Sequence, residues 1–138
     1  MRSVLWALAI VLIAGPALSE PLPDINSPAE MARVHEMLIK ANEEAARMFQ
    51  KQLPKKVDRI TTLNSVLVAN LRLIYYYSLD LTEHAVDMNK MKLLVTEDSC
   101  NDRVTAIALR YGSERQYVYF GSDGKMVGNF VLDKNSCS

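Results

Sequence analysis

The sequence is poor in the residues on which most recognisable chemistries rest. It has two histidines and two cysteines among 138 residues, and no surplus of either charge, with 16 basic side chains against 16 acidic ones. Without a net positive field the chain lacks what draws a non-specific binder to phosphate, so no nucleic-acid partner is expected. Five glycines, five prolines, no low-complexity tract and no internal repeat exclude collagen, disorder and solenoids. A three-histidine metal centre is excluded by count. The helical zinc-protease pattern begins at His35 and Glu36 but has Ile39 where its second histidine is required. His84 is the other histidine, and both read as solvated helix residues. No phosphate loop, dinucleotide fingerprint or nucleophile elbow occurs. The carboxylate pairs Glu43 with Glu44 and Glu97 with Asp98 are helix neighbours, whose directions diverge by about 100° and do not converge on one bond. No catalytic residue, metal or cofactor is therefore expected, and an enzyme is the lesser reading, as a small hydrolase with an unrecognised site.

What is present is one ordinary domain's worth of apolar residues, 49% of the chain. Residues 1–19 read as a secretory signal peptide: Arg2, an apolar run from Val4 to Ala14, a break at Gly15 and Pro16, and a small-residue cleavage site at Ala17, Leu18 and Ser19. The run stops at Pro16, short of the roughly 20 residues that span a bilayer, so no membrane span is expected. The sequence from Leu12 to Gly15 runs into Pro16 and not into a cysteine, so lipid attachment is not expected there. A periplasmic or secreted location follows. In that compartment disulfides persist, and Cys100 and Cys137, the only pair, are expected to be joined; a metal site or a catalytic thiol is the alternative.

Residues 20–138 are expected to form a single α+β domain, with 20–27 a flexible arm. Ser27, Pro28 and Glu30 form a helix start in which Glu30 can reach back as the capping-box partner. Met31, Val34, Leu38, Ala41, Ala45, Met48 and Phe49 then recur at helical spacing up to the stop at Pro54, giving a long helix over 28–53. From Val57 to Leu63 the period changes to two, and β-rich runs at 65–68 and 71–79 predict two strands joined near Asn70. Thr82 is placed to cap a second helix carrying Ala85, Met88, Met91 and Val95. A shorter one carries Val104, Ile107, Ala108 and Tyr111 and stops at Gly112. Residues 115–121 and Met126 to Leu132 flank Asp123 and Gly124, the strongest hairpin signal in the chain. The expected fold is a four-stranded antiparallel sheet of two hairpins, with one or two helices between them, a long N-terminal helix and one disulfide.

Cys100, Gly112, Tyr117 and Tyr119 on a strand, Gly124 in a tight turn and Cys137 closing the chain resemble the C-terminal half of the small periplasmic pilotins of the AspS (β) type in type II secretion. The resemblance covers residues 53–138. It implies a non-enzymatic adaptor that grips a helical tail of an outer-membrane secretin and carries it to the outer membrane through a lipid anchor. The sequence departs from that pattern at Pro16, where a lipidated cysteine would stand, and in the added helix 28–53.

Two kinds of binding surface suggest themselves. Arg47, Lys51, Lys55, Lys56 and Arg59 gather positive charge at the helix-to-strand junction. Aromatic residues gather in the two hairpins, where alternation sends Tyr75 and Tyr77 to one face and Tyr76 to the other, and separates Tyr117 and Tyr119 from Val118 and Phe120. On a face free of helices, Tyr75, Tyr77, Tyr117 and Tyr119 would make an amphipathic platform for a protein partner. The helix 28–53 is longer than four short strands cover, so its start, with Met31, Val34 and Leu38, is expected to overhang and pack on a partner helix or on a second copy as a homodimer. An inhibitor or immunity protein, using the tip from Ser122 to Lys125 to block another protein's active site, is the competing binding role.

Overall fold

The computed structural model describes residues 21–81 and 85–138. The expected signal segment 1–19 falls outside them, as do Thr82, expected as a helix cap, and His84. The elements are α1 (Pro28–Gln50), β1 (Lys55–Lys56), β2 (Thr61–Ala69), β3 (Arg72–Leu79), α2 (Met88–Asn101), α3 (Arg103–Arg110), β4 (Glu114–Phe120) and β5 (Met126–Leu132).

Ser27 caps α1 as its sequence demands, its Oγ accepting from the Glu30 N–H at 3.3 Å. The reciprocal half of the capping box does not form. Ser27 N–H donates to the Asp24 carbonyl, and Glu30 Oε2 instead accepts from the Asp24 N–H at 2.5 Å. The lead is also held at Pro23, whose carbonyl accepts from the buried Tyr111 hydroxyl at 2.8 Å. The helix stops at Gln50, ahead of a cis Leu53–Pro54 peptide. Alternation from Val57 does not become strand, because Asp58 makes a turn: its Oδ1 accepts from Ile60 N–H and Thr61 N–H at 2.9 and 2.8 Å, and β2 starts only at Thr61.

The sheet has five strands in the order β1-β2-β3-β4-β5, not four, and it is mixed. The extra strand is the two-residue β1, which pairs antiparallel with β2 at Lys55↔Leu63 and Lys56↔Thr62. Both expected hairpins exist, β2 with β3 about Asn70 in the left-handed region (φ 53°), and β4 with β5 about Gly124 (φ 76°). They meet through a parallel pair, β3 with β4. The physical reason is the connection. Residues 80–113 contain α2 and α3, which carry the chain back along the sheet before β4 begins, so the two central strands run the same way.

The core lies on one face of the sheet in two parts. Ala46 of α1 packs with Leu63, Val66 and Leu73, while Leu109 of α3 packs with Leu79, Tyr119, Phe130 and Leu132, flanked by Met88, Met91 and Val95 of α2. α2 begins at Met88 with Asp87 as its cap, Oδ1 accepting from Lys90 N–H at 3.1 Å. The disulfide Cys100–Cys137 joins its end to the chain just past β5, with Cα atoms 5.3 Å apart. No described helix is long and apolar enough to cross a membrane.

The inward stripe of α1 is turned from the one expected. Ala41 and Met48 are exposed, and the fully buried positions are Asn42 and Ala46. Asn42 Nδ2 donates to the Asn70 carbonyl at 3.3 Å, and its Oδ1 accepts from Arg115 Nη1 at 3.4 Å. His35 is not a solvated helix residue but half-buried, its Nε2 standing 3.0 Å from where a β-carbon on Gly112 would sit. Gly112 has φ 103°, so both backbone conformation and this close approach call for glycine. The start of α1 thus has cover from its own chain, and Met31, Val34 and Leu38 are half-buried.

Candidate partner-binding groove

Parallel pairing of β3 with β4 sets like residues beside like: Tyr75 opposes Tyr117 and Tyr77 opposes Tyr119. Same-face side chains on neighbouring strands stand about 4.8 Å apart, so the rings stack. The centroids are 5.2 Å apart for Tyr75 and Tyr117 and 5.0 Å for Tyr77 and Tyr119, with interplanar angles of 11° and 13°. Phe130 on β5 extends the row beyond Tyr117 at 5.2 Å, and Phe49 of α1 meets Tyr75 edge-on at 5.8 Å and 86°. At the β5 end of the second rung, Gly128 leaves room for Met88, whose Cγ stands 3.1 Å from a notional β-carbon.

The four tyrosines therefore share the face that carries the helices, which corrects the expectation of a platform on the helix-free face. Tyr119 is buried at 4% exposure under the α2 side. Tyr75, Tyr77 and Tyr117 are only half-buried, in the strip between the Phe49 end of α1 and the Ser99 end of α2. Ser99 Oγ and the Tyr117 hydroxyl are 3.5 Å apart. Desolvation pushes the Tyr75 hydroxyl up to about 12, against an opposing pull from the Arg115 charge, and it raises Tyr77, Tyr117 and Tyr119 as well. All four are neutral hydroxyls on apolar rings at any physiological pH. The row can stack and donate hydrogen bonds; it offers no group poised to exchange a proton.

Helical geometry supplies the walls. At about 100° per residue, with Asn42 turned onto the sheet, Val34, Ala41, Ala45 and Met48 fall on one flank of α1 and Glu36, Glu43 and Arg47 on the other. The apolar flank includes Ala45, which packs against the cluster of Leu63, Val66 and Leu73. On α2, Met91 packs against the core and Leu94 is exposed at 53%, as Met48 is on α1 at 38%. The tyrosine row thus lies in the strip between two helices that each carry an exposed apolar side chain, Met48 and Leu94. Of the residues singled out in the sequence, Val34, Leu38, Tyr75, Tyr77 and Tyr117 belong to this side of the molecule, while Tyr119 is core. Phe49, Met91, Leu94 and Ser99 were not anticipated as wall residues; Phe49 and Met91 stood in the apolar spacing of their helices, while Leu94 and Ser99 carried no signal. Among the described residues no cluster of three or more His, Cys, Asp or Glu could hold a metal ion.

No family model and no curated protein matches the chain. Solved structures do. The type 2 secretion pilotin EpsS of Vibrio vulnificus superposes with a TM-score of 0.68 at 13% identity, covering 78% of this chain and 97% of that one. The type II secretion pilotin AspS of Vibrio cholerae gives 0.64 at 13% identity, over 78% and 98%. A candidate secreted protein of Pseudomonas aeruginosa gives 0.65 at 17% identity, over 76% and 96%. The chain thus has a pilotin-like fold. The similarity takes in a larger share of the chain than residues 53–138 could supply, so it reaches into the part ahead of residue 53.

Proposed function

We propose that this protein is a non-enzymatic, protein-binding adaptor of the bacterial envelope with a role related to secretion-system pilotins, and that a helical segment of its partner lies in the groove between α1 and α2. The observation that carries the reading is the half-buried stacked row of Tyr75, Tyr77 and Tyr117 in the strip between α1 and α2, set in a fold shared with two pilotins. An amphipathic helix laid in such a groove buries its apolar stripe on rings that lose little entropy, while the tyrosine hydroxyls keep a polar contact. A periplasmic location fits the signal-like segment 1–19.

The only tryptophan is Trp6, so the domain from residue 20 onward can be followed through its tyrosine emission. Titration with a peptide of the C-terminal tail of the organism's own type II secretin should change that emission saturably. Leu94→Glu, at an exposed wall position, should abolish the change without lowering the melting temperature. Absence of binding, or binding untouched by Leu94→Glu, contradicts the groove.

A further inference from the structure

The corner where α1 hands over to the sheet carries charge segregated from the rest of the molecule. Between residues 47 and 59 stand Arg47, Lys51, Lys55, Lys56 and Arg59 against a single acid, Asp58, and since the whole chain is neutral the remainder holds the matching negative excess. Asp58, itself exposed, offsets one of these five charges. Its Oδ1 is taken by the N–H groups of Ile60 and Thr61, and its charge acts on Tyr119, on the covered face. Asp80 borders the corner, its N–H donating to the Ile60 carbonyl at 2.7 Å. Arg47, Lys51, Lys56 and Arg59 are exposed, and Lys55 Nζ lies 3.5 Å from Gln52 Oε1. Val57, in the middle of the stretch, leaves 48% of its surface in solvent.

We infer that this corner is a docking surface for the anionic headgroups of a membrane, with Val57 entering the interface among the cations. The cations come from a helix end, a two-residue edge strand and a turn, so they are spread over three elements and suit an extended plane of charge better than one peptide. Long lysine and arginine stems reach such a plane while their backbone stays in water. This assignment is independent of the groove, which lies on the opposite flank of α1.

The test is co-sedimentation of the folded domain with vesicles of phosphatidylcholine, with and without added phosphatidylglycerol. Binding is expected to the anionic vesicles alone and to fall steeply with salt. Each charge removed should weaken it by about fivefold, so the combined Arg47→Gln, Lys51→Gln, Lys56→Gln and Arg59→Gln variant, with an unchanged thermal melt, should not sediment. Three outcomes overturn the inference: no binding at low salt, equal binding to neutral vesicles, or binding retained by the variant. Capture of soluble polyglutamate by a protein that ignores the vesicles overturns it too, and makes the corner a site for an acidic peptide.

Discussion

The two helices that flank the tyrosine row, and wall the proposed groove, are held in different ways. α1 is fixed by packing: 23 residues, with Asn42 and Ala46 fully buried, and a polar clasp in which Asn42 joins the Asn70 carbonyl to Arg115. α2 has 14 residues and not one of them is fully buried; Leu93 and Leu94 face solvent, and the disulfide at Cys100 ties its last turn to the end of the chain. The contrast teaches that a groove can be built from one wall set by side-chain complementarity and one set by a covalent tether. Where burial supplies less, a cross-link that restricts the unfolded chain adds to it.

Removing the tether should have the largest effect. With the cysteines 37 positions apart in sequence, the loop-entropy model puts the loss for Cys100→Ser with Cys137→Ser at about 4 kcal/mol. Denaturant unfolding should show that loss, and α2 amides should lose protection before α1 amides do. Breaking the clasp tests the other wall. Asn42→Ala removes the bonds to the carbonyl of the exposed Asn70 and to Arg115, which keeps Ser113 as an acceptor, and should cost about 0.5–1.5 kcal/mol, read as a lower midpoint with the same slope.

The floor between the walls responds to base. Burial raises the row's tyrosines above their unfolded value near 10, Tyr75 to about 12. A group whose folded pKa is raised contributes stability that is complete below the unfolded value and lost as pH climbs through the folded one. Stability should therefore hold up to about pH 10 and fall above it, and tyrosinate absorbance should appear late and together with unfolding. Early ionisation of all six tyrosines in the folded protein would show the row open to water. The smallest effect is expected at the exposed α2 leucines, where Leu93→Ser should shift stability by no more than about 0.5 kcal/mol.

Much of this arrangement was legible in the residues themselves. Ser27 and Pro28 announce α1, Asp123 and Gly124 the last turn, Gly112 the end of α3, and a lone pair of cysteines the bridge. The parallel β3–β4 pair was not legible, because strand direction is decided by how far a connection carries the chain and not by the strands' own composition. Nor was the rotation of α1: Asn42 sits at the centre of the buried stripe, and a polar residue there reads as surface until Asn70 and Arg115, distant in sequence, are seen to satisfy it. The tyrosines' shared face followed from alternation, but which face the helices cover depends on the hand of the crossover.

Hydrogen exchange of the two walls, with and without the secretin-tail peptide, tests the central claim most directly. In the free domain α2 amides should exchange faster than those of α1 around Asn42 to Phe49, and peptide should slow α2 while leaving α1 nearly unchanged. Equal protection of the two helices in the free domain, or peptide that leaves α2 exchange unaltered, would contradict a groove with one packed and one tethered wall.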